Sequence, residues 1–190
     1  MAGKLEGKRI AILATDGFEQ SELLEPKRLL EEAGAETTVV SLKPGEIKGW
    51  NGEDWGESVK VDATLDGASS EEFEALLLPG GVMNPDKLRA QPPAVEFVRD
   101  FFRAGKAIGA ICHGPWLLVE ADIVQGRRVT SWPSLQTDIR NAGGAWEDSE
   151  CVADQGIVTS RKPDDIPAFA SKLIEEIAEG VHTRREGYMA

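Results

Sequence analysis

Three short runs in this chain, Ile10-Ala11-Ile12-Leu13-Ala14, Ala75-Leu76-Leu77-Leu78 and Ala107-Ile108-Gly109-Ala110-Ile111, are apolar at every position. A strand with two hydrophobic faces has to lie inside a sheet that is covered on both sides, which is the environment of a parallel sheet. The segments between the runs supply the covers. Leu23, Leu24, Leu29, Leu30 and Ala33 recur at helical spacing, with acids at the start and Gly34 as a left-handed cap. Pro26 is expected to delay the regular part of that helix. Thr37 to Leu42 follows with strong β propensity, so a strand, a helix and a strand make one crossover unit. Ala94, Val98, Phe101 and Phe102 share one face between Pro92-Pro93 and Gly105. Ile166, Phe169, Ala170, Leu173, Ile174 and Ile177 form a last amphipathic helix, begun by Asp164, Asp165 and Pro167. The fold class this implies is α/β: a flavodoxin-like three-layer sandwich, with a mostly parallel central sheet and helices on both faces.

Other segments fit around that frame. Residues 43–60 alternate Gly45, Gly49, Gly52 and Gly56 with Trp50, Trp55 and several acids, which suits a loop or short hairpin. The two tryptophans could cover part of a pocket or an oligomer contact there. Val129-Thr130-Ser131, a helical patch from Leu135 to Ile139 and Gly143-Gly144 make a further unit. Cys151-Val152-Ala153 and Ile157 to Ser160 flank Asp154-Gln155-Gly156, a hairpin signal. No repeat or linker divides the 190 residues, so one domain is expected over 1–190, with its core at about 7–180.

Charge and residue counts exclude several classes. With 21 Lys and Arg against 33 Asp and Glu, the net charge of −12 repels phosphate backbones and anionic lipid. Two cysteines, Cys112 and Cys151, are too few for a disulfide framework, and a reducing cytoplasm is the expected compartment. The first residues become charged before any apolar signal region forms, and no stretch nears the ~18–20 apolar residues of a membrane span. Two histidines, His113 and His182, without Cys-x-x-Cys spacing leave little for a zinc site, so neither metal nor cofactor is expected.

The sharpest chemical signal is Gly109-Ala110-Ile111-Cys112-His113-Gly114-Pro115. A buried strand of small residues, one reactive side chain and a Gly-Pro helix start make the layout of a nucleophile elbow. The free N–H groups and positive dipole end of the following helix favour thiolate over thiol. They could also hold an oxyanion, with the His113 N–H as one donor and the Gly80-Gly81 backbone as another. On local pattern alone, Cys112 could equally be a small buried hydrophobe at a strand end.

Three motifs together carry a resemblance: Thr15-Asp16-Gly17-Phe18-Glu19 after the first strand, Leu78-Pro79-Gly80-Gly81 after a later one, and Ala110 to Pro115. In that order and at strand tips, they resemble the PfpI family, within the superfamily of the parkinsonism-associated deglycase. The similarity runs over roughly residues 7 to 180. It implies that Cys112 is the nucleophile and that Glu19 is the buried acid sharing a proton with its thiol. It also implies that His113 is the adjacent histidine of the protease-like branch. Asp86, in Val82-Met83-Asn84-Pro85-Asp86 where the family often has glutamate, would orient His113 from a neighbouring subunit. Gly80, Gly81 and His113 are then the oxyanion candidates, and a dimer or larger homo-oligomer is implied.

Class I glutamine amidotransferases share the elbow but need a downstream His-x-Glu pair, whereas His182 is followed by Thr183 and Arg184. A flavodoxin-type phosphate loop is disfavoured because the first strand runs into one glycine and two acids. Three functions fit the resemblance. The first is glyoxalase or deglycase chemistry on small reactive carbonyls or glycated protein side chains, in a stress-protection role. The second is an intracellular cysteine peptidase with a Cys112, His113 and Asp86 triad. The third is a redox-sensing stress protein or chaperone with an oxidisable Cys112. Cys151 reads as a small apolar strand residue.

Overall fold

The computed structural model describes residues 3–182; the outermost positions of the expected 1–190 span lie outside the described residues. The first apolar run is β1 (Arg9–Leu13), buried at every position after Arg9. A two-residue strand β2 (Phe18–Glu19) leads into helix α1 (Gln20–Glu32). This helix starts six residues ahead of Pro26 and runs through it, contrary to the sequence expectation. The ring removes only the N–H that would have reached the Glu22 carbonyl, a loss that packing of the buried face covers. Gly34, at φ +102°, turns the chain off α1, and the Ala35 N–H closes on the Leu30 carbonyl at 3.1 Å.

Strand β3 (Glu36–Ser41) completes the first crossover. Residues 43–60 then form the hairpin of β4 (Glu46–Asn51) and β5 (Asp54–Lys60). Trp50 sits opposite Trp55 with the rings edge to face at 5.5 Å, and β4 also pairs with β2. After β6 (Ala63–Thr64) and β7 (Ala75–Leu78) comes α2 (Met83–Arg89), a seven-residue helix with no sequence periodicity to announce it. Pro85 is its third residue, where an N–H would have no intrahelical acceptor anyway. Helix α3 (Pro92–Arg103), strand β8 (Ala107–Ile111) and helix α4 (Pro115–Glu120) follow in the order read from the sequence. The chain continues through β9 (Arg128–Val129), α5 (Gln136–Asn141) and β10 (Ala145–Trp146). It ends in β11 (Val152–Asp154), β12 (Ile157–Ser160) and α6 (Ile166–Glu179).

The main sheet has the order β11-β12-β8-β7-β1-β3-β6. Every pairing in it is parallel except that of β11 with β12, which are joined by a two-residue turn at Gln155-Gly156. Alternate strand residues feed two cores. Leu13, Leu76, Leu78, Ile108 and Ala110 pack with α3 and α4, while Ile12, Leu77, Ile111 and Val158 pack with α1 and α6. The result is the α/β three-layer arrangement, with the carboxyl ends of β1, β7, β8 and β12 on one edge, where open α/β sheets bind ligands. No helix among the described residues is long and apolar enough to cross a membrane.

Candidate active site

Cys112 leaves β8 with φ +62°, a left-handed conformation that costs a non-glycine residue on the order of 1–3 kcal/mol. Its backbone is held from three sides. The Cys112 N–H donates to the Ser160 carbonyl at 3.0 Å, its carbonyl accepts the Trp132 N–H at 2.8 Å, and the Gly114 N–H closes the turn on Ile111 at 2.9 Å. Glycine at 114 is a steric requirement, because a Cβ there would lie 2.5 Å from the Leu78 carbonyl oxygen. The elbow thus lifts a 7% exposed side chain above the sheet edge, with α4 starting at Pro115. The Sγ lies 3.2 Å from His113 Nδ1.

The carboxyl beside the thiol is that of Glu22, which corrects the expectation for Glu19. Glu19 is the residue before α1, and its side chain faces the Gly52 backbone and Ser21, along a groove of about 620 Å³ shared with Asn51, Pro163 and Ile166. Glu22 is the third helical residue, and helical side chains lean back toward the N-terminus, so its carboxyl is the one that reaches down to the strand tips. It is fully buried, its Oε2 accepts the Gly80 N–H at 2.9 Å, and it lies within hydrogen-bonding reach of Cys112. The signal that could have found it is an acid on the apolar stripe of α1, with Leu23, Pro26 and Leu30 buried alongside.

Burial, assisted by repulsion from Glu19, pushes the Glu22 pKa up to about 8. Burial and then the charge of an ionised Glu22 push the Cys112 thiol up as well, while the Gly81 and His113 N–H groups pull it down. The two groups therefore cannot both ionise readily. If Glu22 keeps its proton, the repulsion disappears and the carboxyl O–H becomes a donor to sulfur, so one proton can serve both.

The Gly80 backbone N–H, an expected oxyanion donor, is engaged by Glu22, and the Gly81 N–H is shared between Glu22 and the sulfur, which the His113 N–H also faces. Position 80 admits only glycine, since a Cβ would lie 2.4 Å from Glu22 Oε2 and 2.7 Å from Cys112 Cβ. His113 is buried, and desolvation lowers its pKa, so the ring is neutral near pH 7. It lies between two indoles, Trp116 edge to face at 5.1 Å and Trp132 stacked at 6.0 Å. Asp86 is exposed on α2, and among the described residues no hydrogen bond or ion pair joins it to His113.

Asn84 was invisible to sequence reasoning, because its partners come from distant loops. Fully buried, it accepts the Thr15 N–H at 2.8 Å and donates to the Pro79 and Gly80 carbonyls at 3.0 and 3.1 Å. It ties the β1 and β7 tips together. Asn84→Ala leaves the buried Thr15 N–H and Pro79 carbonyl without a partner, while the Gly80 carbonyl keeps the Glu19 N–H, and it should lower stability by roughly 2–3 kcal/mol. Urea denaturation checks this, and an unchanged midpoint would contradict it.

Among the described residues, a group of three ligand-type side chains close enough to share a metal lies at the end of α6. Glu176, Glu179 and His182 offer atoms within 4.8 Å of one another, and Lys172 Nζ already sits 3.0 Å from Glu176 Oε1.

The chain is 45% identical over 164 residues to protein/nucleic acid deglycase 2 of Escherichia coli (strain K12), covering 85% of this chain and 93% of that one. It is 46% identical over 165 residues to general stress protein 18 of Bacillus subtilis (strain 168), covering 86% and 94%. Among solved structures, a two-domain protein of Anabaena variabilis with DJ-1/ThiJ/PfpI-like and ferritin-like domains superposes with a TM-score of 0.85 at 33% identity. The match covers 95% of this chain and 52% of that one, so the chain spans about half the length of that two-domain protein. The family pattern itself matches residues 8–176, with the Cys112 elbow, the Pro-Gly-Gly tip and the α1 acid all inside that span, and the chain belongs to the DJ-1/PfpI family.

Proposed function

We propose that this protein is a cysteine-dependent stress-protection enzyme that acts on reactive carbonyls, by glyoxalase chemistry on methylglyoxal and deglycase chemistry on its early protein adducts. The observation that carries the reading is the strained Cys112 with a buried Glu22 carboxyl and two N–H groups at its sulfur. The names of the relatives, a deglycase and a general stress protein, support the same direction.

In the proposed cycle the Cys112 thiolate attacks the aldehyde carbon of methylglyoxal. A C–S bond forms and the carbonyl π pair moves onto oxygen, where the Gly81 and His113 N–H groups meet it. Protonation from Glu22 gives the hemithioacetal. Transfer of the C1 proton to C2, relayed by Glu22 or neutral His113, oxidises C1 and reduces C2 to give a lactoyl thioester. Water then cleaves the C–S bond, returning the thiol and releasing lactate, so the net change is the addition of one water. For an early adduct, the amine or guanidine leaves as the carbonyl carbon passes to sulfur.

Asp86 enters this reading only from a second copy of the chain, as the orienter of His113 in a homo-oligomer. Asp86→Ala should then lower turnover without altering the Cys112 environment of the isolated chain; equal turnover in the variant would remove Asp86 from the site. The close Cys112–His113 pair also fits a peptidase, so lactate release from methylglyoxal is to be followed beside casein digestion. Lactate release supports the carbonyl reading. Cysteine-dependent casein cleavage without it would replace that reading with the peptidase.

A further inference from the structure

We infer that Trp132 is the platform on which the carrier group of a glycated substrate lies, and that it selects the planar guanidinium of arginine-derived adducts over the ammonium of lysine. This inference rests on the proposed carbonyl chemistry and names the substrate class of the same site.

Trp132 is 39% exposed, one of few large apolar side chains left open among the described residues. Its position relative to the sulfur is set by backbone, since its N–H is the donor to the Cys112 carbonyl. Pro133 follows it, and its own carbonyl accepts Ser131 Oγ–H, the same oxygen that accepts Trp146 Nε1–H at 2.9 Å. The backbone that carries the indole is therefore anchored to the elbow. The ring is stacked on the imidazole of His113, the residue next to the nucleophile, at an interplanar angle of 22°, and the residue keeps 39% of its surface exposed.

Free methylglyoxal has too few atoms to need such a platform, whereas an adduct brings the side chain that carries it. A guanidinium is flat, delocalised and weakly hydrated, and it stacks on indole faces; an ammonium is compact and keeps its water. The surroundings suit a cation. His113 is uncharged near neutrality, the chain carries −12, and Asp138, on the helix just after Trp132, takes the Trp116 Nε1–H at 2.8 Å. A nucleobase could stack as well, but its phosphates would be repelled by that charge.

The test reads binding without turnover. Alkylation of Cys112 by iodoacetamide, followed on its own peptide by mass spectrometry, is measured with N-acetylarginine amide, N-acetyllysine amide or guanosine present. In the native protein the arginine amide should protect at about fivefold lower concentration than the lysine amide. That difference should persist in Trp132→Phe and vanish in Trp132→Leu. Equal behaviour of the two amides, a difference that survives Trp132→Leu or is lost in Trp132→Phe, or stronger protection by guanosine would each overturn the inference. Failure of lactate release would instead sink the carbonyl chemistry, and the two failures are read from separate assays.

Discussion

Cys112→Ala should lower lactate release from methylglyoxal by at least about a thousandfold, because every covalent step in the proposed cycle uses its sulfur. The substitution removes one small side chain from a backbone held by hydrogen bonds to Ser160, Trp132 and Ile111, none of which involves the sulfur. The variant should therefore fold, and its circular dichroism should match the native protein. Cys151→Ser serves as the matched control: Cys151 packs as a half-buried side chain next to β11, with burial raising its thiol pKa, and its loss should leave turnover within about twofold. Residual activity in Cys112→Ala equal to the native rate would exclude the mechanism.

Glu22→Gln should produce the second large effect, on two observables at once. The amide keeps a donor near sulfur but cannot release and recover a proton, so turnover should fall by about a hundredfold. Stability should change in the opposite sense with pH. The folded carboxyl, at about 8, keeps a proton that the unfolded one, near 4.5, gives up. Between those values the folded state binds more protons than the unfolded state. The native protein is thus at full strength below about pH 4.5 and loses up to about 1.4 kcal/mol per pH unit as pH rises toward 8. Glutamine has no such dependence. Urea denaturation across pH 5 to 8 should show the variant gaining on the native protein as pH rises, and parallel curves would mean that Glu22 is ionised in both states.

The fold was legible because three runs are apolar at every position, and only a doubly covered sheet accommodates them. The elbow was legible for a related reason: Gly109, Ala110 and Gly114 are small where the strand must turn sharply, and Pro115 marks the helix start. The choice between Glu19 and Glu22 was not. Glu19 comes from the resemblance alone, whereas the acid that reaches the sulfur depends on where α1 begins. Once the helix is known to start at Gln20, the acid on its buried stripe is unambiguous. Asn84 and Trp132 were hidden for a different reason: their decisive bonds run to Thr15 and to Cys112, contacts that no local pattern encodes. The Gly80-Gly81 sequence offers a pair of oxyanion donors, but the same buried carboxyl that accompanies the cysteine draws on both of them.

That carboxyl is the centre of the proposed chemistry, and its proton can be followed through the sulfur. The rate of Cys112 alkylation by iodoacetamide against pH, in the native protein, Glu22→Gln and Glu22→Leu, reports thiolate directly. A neutral donor at position 22 should hold the thiolate in Glu22→Gln at or below the native titration midpoint. Glu22→Leu, with no donor and the same burial, should shift the midpoint upward by about one pH unit or more. Overlapping curves for glutamine and leucine would contradict a proton shared between Glu22 and Cys112.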